Sequence, residues 1–299
     1  MLKHITVLKN ESIEGLNINP KGIYVDATLG AAGHSYEILK RLTTGHLYVF
    51  DQDQYAIDRA QEVLKGFSNY TIIKANFSQL KEKLNELGIM KIDGILFDLG
   101  LSSFQIDDVK RGFSYMNDYD LDMRMDQSNQ LSAKMVVNEY SLEELVRIFR
   151  EYGEEKNAYL IARSIVANRP LNTTAELVKI TDKYKFKSEG HSAKRVFQAL
   201  RIEVNQELSV LRSALNQALD LLNVNARLAV ITFHSLEDKI VKHFIKEHST
   251  LNVPKNLPLI NIQQPPLINI SKKAILPSLT EINENSRSRS AKLRIAQKS

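Results

Sequence analysis

Four short β-rich runs, Ile23 to Asp26, Leu47 to Asp51, Tyr70 to Lys74 and Gly94 to Asp98, alternate with helical patterns through the first hundred residues. Between them, Ser35 to Leu42, Tyr55 to Leu64 and Leu80 to Leu87 place apolar residues at helical spacing. That order is one of repeated βα units on a parallel sheet, and it predicts a doubly wound α/β domain with ligands at the carboxyl ends of its strands. The alternation then stops. The next convincing strand, Arg227 to Phe233, comes about 130 residues after Asp98, far more chain than a βα connection needs. Helices must fill the gap. Ser141 with Glu144 and Thr173 with Glu176 have the spacing of capping boxes, each ahead of an apolar run. Leu200, Val204, Leu208, Leu211, Leu215, Leu219 and Leu222 follow at intervals of three or four and predict one long helix running back towards the sheet. After the fifth strand, Ser235 and Asp238 are expected to cap a helix carrying Ile240, Val241, Phe244 and Ile245. Asn252 to Pro277 reads as irregular chain with short strands.

With 299 residues, 43% of them hydrophobic and 25% charged, the chain can bury a substantial core. It has no cysteine, which excludes disulfides, thiolate metal sites and a cysteine nucleophile. There is no apolar run of membrane-spanning length, and Met1 to His4 lacks the order of a signal peptide, so a cytoplasmic protein with no membrane partner is expected. The net charge of +5 favours a polyanionic partner. Arg287, Arg289, Lys292, Arg294 and Lys298 crowd the last residues, with no acidic residue after Glu284; a solvated tail is the alternative reading of that stretch. His34 and His234 have no third ligand at recognisable spacing, and no metal site is expected.

The first strand runs into Asp26-Ala-Thr-Leu-Gly-Ala-Ala-Gly-His34, and a helix begins near Ser35. Small residues at such a turn let backbone N–H groups approach a ligand, and a helix N-terminus favours an anionic group. Asp51 ends the second strand about 20 residues later, where a carboxylate can accept both hydroxyls of an adenosine ribose. Taken singly, Gly30 and Gly33 read as an ordinary tight turn and Asp51 as a helix cap. The pair leaves dinucleotides and S-adenosylmethionine both open, while Thr28, standing where the dinucleotide fingerprint has its first glycine, disfavours a nicotinamide cofactor. Phe77 after the third strand can flank an adenine or belong to the core, and the fourth strand ends at Asp98 on the same sheet edge.

These residues belong to longer motifs: His4-Ile-Thr-Val-Leu8, Thr28 to Ser35, Asp93-Gly-Ile-Leu-Phe-Asp-Leu-Gly-Leu-Ser-Ser103, Arg111-Gly-Phe-Ser-Tyr115 and Leu121-Asp-Met-Arg-Met-Asp126. Phe197-Gln-Ala-Leu-Arg-Ile-Glu-Val-Asn205, His234-Ser-Leu-Glu-Asp238 and Ser286-Arg-Ser-Arg-Ser-Ala-Lys-Leu-Arg294 follow. In these the chain resembles, nearly end to end, the bacterial small-subunit ribosomal RNA cytosine-N4 methyltransferases of the MraW or RsmH family. The resemblance implies a Rossmann-like class I methyltransferase with an inserted helical substrate-recognition domain: residues 1–106 as the first part of the methyltransferase domain, 107–200 as the helical insert, and 201–299 as the second part with a basic C-terminal tail. It implies S-adenosyl-L-methionine as cofactor, held by Ala32, Gly33, His34, Asp51, Phe77, Asp98 and Gln105. It also implies a cytidine in the decoding region of 16S rRNA as acceptor, within the small ribosomal subunit or its precursor, by a monomer or homodimer and without DNA. The family usually has glycine where Ala32 or Ala31 stands and proline where Phe104 precedes Gln105. A methyl group at the turn still permits backbone contacts if the local φ is negative.

Methylating an exocyclic amine calls chiefly for positioning, since the sulfonium is already a good leaving group. An acceptor that pulls on one N–H helps localise the amine lone pair. Asp98 is the first candidate for that acceptor, followed by Ser102 or Ser103; the alternative is that Asp98 only holds the cofactor. Exposing the amine requires the cytidine to leave its stack. Arg111, Phe113, Tyr115, Arg124, Lys194, Arg195 and Arg201 offer phosphate contacts and stacking surfaces, or else internal ion pairs and packing. Two competing readings are an assembly factor that binds RNA without turnover and a nicotinamide oxidoreductase.

Overall fold

The computed structural model describes residues 5–100, 108–185, 190–251 and 264–299. The chain divides into two compact units, one of residues 1–100 with 210–299 and the other of residues 101–209.

The first unit is built on a seven-stranded sheet. In chain order its early elements are α1 (Lys9–Leu16), β1 (Ile23–Asp26), α2 (Gly33–Leu39), β2 (His46–Asp51), α3 (Gln54–Leu64), β3 (Tyr70–Lys74), α4 (Leu80–Glu86) and β4 (Ile92–Asp98). The strands lie in the order β3-β2-β1-β4-β5-β7-β6, with β5 at Leu222–Thr232, β6 at Leu267–Asn269 and β7 at Lys292–Lys298. Pairings from β3 across to β5 are parallel, while β7 runs antiparallel between β5 and β6. Because β1 pairs with β2 on one side and β4 on the other, the order reverses there, the point at which open α/β sheets bind ligands beyond the carboxyl ends of their strands. β1 is buried along most of its length, as a strand covered on both faces must be.

The basic C-terminal stretch is not a solvated tail. From Lys292 onward it is an inner strand of the sheet, with Leu293 and Ile295 buried and its backbone paired on both sides.

Helix starts follow from side chains that satisfy free backbone N–H groups. Asp53 caps α3 by accepting from the Tyr55 amide at 3.1 Å. Asp51 is therefore not the cap of that helix. The helix after β5 is α11 (Ser235–Ser249), and its N-cap is His234 rather than the expected Ser235: the Glu237 amide donates to His234 Nδ1, and Glu237 Oε2 accepts from the His234 amide. Histidine does this because a neutral imidazole offers one acceptor nitrogen.

The second unit is helical, comprising α5 (Ala133–Glu139), α6 (Leu142–Glu151), α7 (Ala158–Ala167), α8 (Thr174–Asp182) and α9 (Lys194–Asn205). Both sequence-predicted capping boxes are formed, Ser141 with Glu144 on α6 and Thr173 with Glu176 on α8. Its core gathers Phe113, Leu121, Met123, Leu145, Phe149, Ile161, Leu177, Phe197 and Leu200. At about 1.5–3 kcal/mol for each large buried side chain, this cluster is what holds the unit together.

One predicted element is divided. The single long helix expected from Leu200 to Leu222 is two, α9 and α10 (Glu207–Leu221), separated by Gln206 at φ 50°. A left-handed residue breaks the helical ladder, but both helices bury one face, so the three-and-four spacing of leucines continues across the break unmarked. Arg201 and Glu207 bracket it with a two-pronged ion pair, both bonds 2.7 Å long.

The segment before α1 packs under the turn after β1. Thr6 stands so close to Gly33 that a Cβ on Gly33 would lie 1.9 Å from Thr6 Oγ1 and 3.1 Å from Thr6 Cβ. Gly33 is thus required by close approach. Gly33→Ala is expected to destabilise the protein by about 1–3 kcal/mol through overpacking. Thr6→Ala, which removes the clashing hydroxyl, should restore part of that loss. Denaturant melts of the single and double variants check this, and a double variant no more stable than Gly33→Ala alone would refute it.

Candidate active site

Three strands of the sheet end in aspartate, Asp26 on β1, Asp51 on β2 and Asp98 on β4. Parallel pairing brings their ends to one edge of the sheet. Each carboxyl is held differently. Asp26 is 1% exposed; its Oδ2 accepts from the Ser35 hydroxyl at 2.6 Å and its Oδ1 from the Thr28 amide at 3.1 Å. Asp51 accepts from the Gly30 amide at 3.0 Å through one oxygen and from the Asp53 amide at 2.9 Å through the other. Asp98 donates its own amide to Thr28 Oγ1 at 2.7 Å. Among the described residues its Oδ1 is enclosed without a hydrogen-bond partner.

The turn between β1 and α2 closes around these groups. Gly30 lies at φ 47°, and the Leu29 amide donates to the Phe50 carbonyl, extending the β1–β2 pairing beyond the strand. Ala32, the N-cap of α2, lies at φ 61° and is fully buried. The negative φ that an alanine was expected to need is therefore absent. Left-handed geometry costs a non-glycine residue about 1–2 kcal/mol, which the buried methyl group offsets in part.

His34 joins the N-terminal segment to Asp98. Its Nε2 donates to the Val7 carbonyl at 3.1 Å, and since a carbonyl can only accept, the ring proton sits on Nε2. Nδ1 then faces Asp98 Oδ2 at 3.5 Å.

Withdrawal from water dominates the electrostatics. Burial pushes Asp98 up to about 8, with the charges of Asp26 and Glu237 adding to it. It pushes Asp26 up to about 7 against the Ser35 hydroxyl and Thr28 amide, and Asp51 up to about 6 against the amides of Asp53 and Gly30. Three carboxyls that resist ionisation at one edge favour a cation there, because a positive charge restores the ionised form that burial opposes. Asp51 has lone pairs beyond its two amide contacts, enough for a pair of hydroxyls. Phe77, half-buried after β3, meets the core ring of Phe97 edge-on at 5.7 Å and can offer a face to a planar group.

Of the residues singled out from sequence, the structure brings Ala32, Gly33, His34, Asp51, Phe77 and Asp98 to this edge. Gln105 lies outside the described residues, as do Ser102, Ser103 and Phe104. Sequence reasoning missed Asp26, Ser35 and the hydroxyl of Thr28. A strand-terminal carboxylate, the signal that marked Asp51 and Asp98, was equally present at Asp26.

In the helical unit, four of the proposed RNA-facing residues have internal roles. Arg111 donates to the carbonyls of Arg124 and Met125, Phe113 belongs to the core, Arg124 pairs with Asp122 at 2.6 Å, and Arg201 pairs with Glu207. Tyr115 stacks on His191 with ring centroids 4.4 Å apart. Lys194 and Arg195 are exposed. No helix among the described residues is long and apolar enough to cross a membrane.

A family model described as the MraW methylase family matches residues 1–299. A relative from Acholeplasma laidlawii (strain PG-8A), named ribosomal RNA small subunit methyltransferase H 1, is 65% identical over 297 residues, 99% of each chain. One from Onion yellows phytoplasma (strain OY-M), named ribosomal RNA small subunit methyltransferase H, is 54% identical over 99% of this chain and 97% of its own. Among solved structures, an rRNA methylase from Streptococcus thermophilus aligns over 100% of this chain and 98% of its own at 12% identity, with a TM-score of 0.45. The chain belongs to the MraW methylase family, and its cofactor is S-adenosylmethionine.

Proposed function

We propose that this protein transfers a methyl group from S-adenosylmethionine to N4 of a cytidine in the decoding region of 16S rRNA, acting in the cytoplasm on the small subunit or its precursor. The names of the relatives at 65% and 54% identity support small-subunit rRNA as the substrate class. The observation that carries the chemistry is Asp98 Oδ1, an enclosed carboxylate oxygen with no partner among the described residues, at the end of β4 beside Thr28 and His34. An enclosed acceptor leaves a hydrogen bond to be made by whatever enters the site.

The residues divide the work. Asp51 accepts the ribose hydroxyls, Phe77 flanks the adenine, and the backbone of Ala32, Gly33 and His34 lines the turn; Gln105 completes the proposed set. S-adenosylmethionine supplies the electrophilic methyl group on a sulfonium that leaves without acid assistance. Asp98 accepts an N–H from the attacking amine, which localises the lone pair and afterwards receives the proton. His34, fixed by the Val7 carbonyl, presents Nδ1 as an acceptor to the other Asp98 oxygen, where it can take a hydrogen bond from the carboxyl once that holds a proton. An RNA-binding assembly factor without turnover gains no support from such an arrangement, since binding RNA needs no buried carboxyl beside a turn.

Transfer of labelled methyl from S-adenosylmethionine to small subunits from cells lacking the protein, followed by nucleoside analysis, tests the whole reading. N4-methylated cytidine at one site is the expected product; cofactor binding without transfer to subunits, precursors or naked RNA would refute it. Asp51→Asn should weaken cofactor binding about tenfold or more, as loss of a charge-assisted pair of hydrogen bonds costs about 1.5–3 kcal/mol. Isothermal titration would reveal an unchanged affinity if the assignment is wrong. A carboxyl pushed up to about 8 accepts an amine proton only once ionised, so single-turnover rates should rise with pH through a midpoint at or below that value and level off above it. The midpoint lies lower with cofactor bound, because a cation favours the carboxylate. Asp98→Asn should remove the rising limb and slow transfer about 10²–10⁴-fold; a variant with the wild-type profile would clear Asp98 of the proton.

A further inference from the structure

Much of the α/β unit pairs its surface cations with carboxylates. Lys9, Lys40 and Arg41 share Glu37, and Lys81 meets Asp220. The outer face of the helix after β5 departs from that habit. In α11 the apolar residues Ile240, Val241, Phe244 and Ile245 are buried, while Lys239, Lys242 and Lys246 lie exposed at spacings of three and four, on one face. Like charges so placed destabilise a helix by about 0.2–0.5 kcal/mol per pair, so the stripe serves nothing within the helix itself.

The second element is the 3₁₀ turn Ser286–Ser290 that leads into β7. Its middle residue, Ser288, is fully buried and donates to the Asn285 carbonyl at 2.8 Å. Asn285 accepts from the Arg287 amide at 3.2 Å and donates to the Ile5 carbonyl at 3.0 Å, which ties the turn to the N-terminal segment. With three residues per turn, anchoring Ser288 inward sets Arg287 and Arg289 outward on either side, and both are exposed.

The two elements adjoin. Asp238, in the first turn of α11, accepts from Lys292 Nζ at 3.2 Å and from Arg294 Nε at 2.7 Å. These contacts neutralise two cations of the C-terminal motif and lash α11 to the start of β7. Lys292 pairs with Thr232, the last residue of β5, while Asp98 pairs with Ile231. The arginine turn therefore sits at the same sheet edge as Asp98. Among the described residues, no carboxylate forms an ion pair with Lys239, Lys242, Lys246 or Arg289.

We propose that the Ser286–Ser290 turn and the outer face of α11 form the track on which the RNA backbone rests, its phosphates neutralised by Arg287, Arg289, Lys239, Lys242 and Lys246. The inference rests on the functional reading above, which makes RNA the substrate. The stripe on α11 extends about 10 Å along the helix, and a phosphate backbone offers a line of regularly spaced negative charges to match it. Arginines on an anchored turn suit phosphate because their forked guanidinium can engage two oxygens at once. At this edge they would hold the strand flanking the nucleotide presented to Asp98.

The test compares the full-length protein with Arg287→Glu/Arg289→Glu and Lys239→Glu/Lys242→Glu. Lys40→Glu/Lys65→Glu, at the far ends of α2 and α3, makes the same change in net charge. Small-subunit RNA binding is measured over a range of salt, and S-adenosylhomocysteine binding by thermal shift monitors the fold and the cofactor site. Both test variants should bind RNA at least tenfold more weakly and show a salt dependence shallower by roughly one unit for each phosphate no longer neutralised, with the thermal shift preserved. The control pair should bind as wild type does. If either reversed variant loses the thermal shift, the Gln versions of the same positions take its place and should weaken RNA binding in the same direction. Wild-type protein that binds RNA while the variants match it in affinity and slope overturns the track and leaves the functional reading standing. Wild-type protein that neither binds nor methylates the RNA overturns both.

Discussion

The parallel pairing of β1 with β2 on one side and β4 on the other is the constraint from which the site follows. Each of these strands ends in an aspartate, and parallel register delivers all three carboxyls to one edge. An antiparallel neighbour would have sent its terminal residue to the opposite edge. Once assembled there, the carboxyls are withdrawn from water, and Asp98 feels the charge of Asp26. The cost of burying acidic groups is met by amides of the turn after β1, the Ser35 hydroxyl and the sheet's own hydrogen bonds. What is left over is one carboxylate oxygen without a partner among the described residues, and a site whose electrostatics call for a cation.

The turn carries the local strain of this arrangement. Ala32 occupies a conformation that glycine adopts more readily, and Gly33 beside it has no room for a side chain. The chain thus places its methyl group where the backbone objects and its glycine where a neighbour objects. The N-terminal segment is part of the same construction, through Thr6 against Gly33 and the Val7 carbonyl on His34. The packing of Thr6 and the tautomer of His34 are consequently linked through two adjacent residues of one turn.

The helical unit shows how misleading isolated cations are. Arg111 and Arg124 organise the loop that carries Leu121 to Asp126, and Asn205 clamps the same loop by donating to the Met123 carbonyl and accepting from the Met125 amide, both at 2.8 Å. Arg201 secures the break after α9. These residues are spent on holding an irregular segment in place, since a loop without a ladder of backbone bonds needs side chains to satisfy its carbonyls. The C-terminal motif divides in the same manner, with Lys292 and Arg294 tied to Asp238 while Arg289 stands exposed.

Features set by near neighbours were legible in the chain. Strand and helix periods, the capping boxes at Ser141 and Thr173, and the carboxylates that end β1, β2 and β4 depend on residues a few positions apart, so their physics is local. Asp51 and Asp98 stood out for that reason. Tertiary structure alone decided that His34 meets both Val7 and Asp98, that Thr6 forbids a side chain at Gly33, and that the basic C-terminus is an inner strand. It also decided which arginines are engaged internally and how far burial raises each carboxyl. The leucine spacing through Leu200 to Leu222 could not reveal the break at Gln206, because the pattern records which side of a helix is buried and is blind to a turn between two helices that each bury one. Such properties depend on groups brought together across tens to hundreds of residues, and desolvation and close contact exist only once the chain has closed around them.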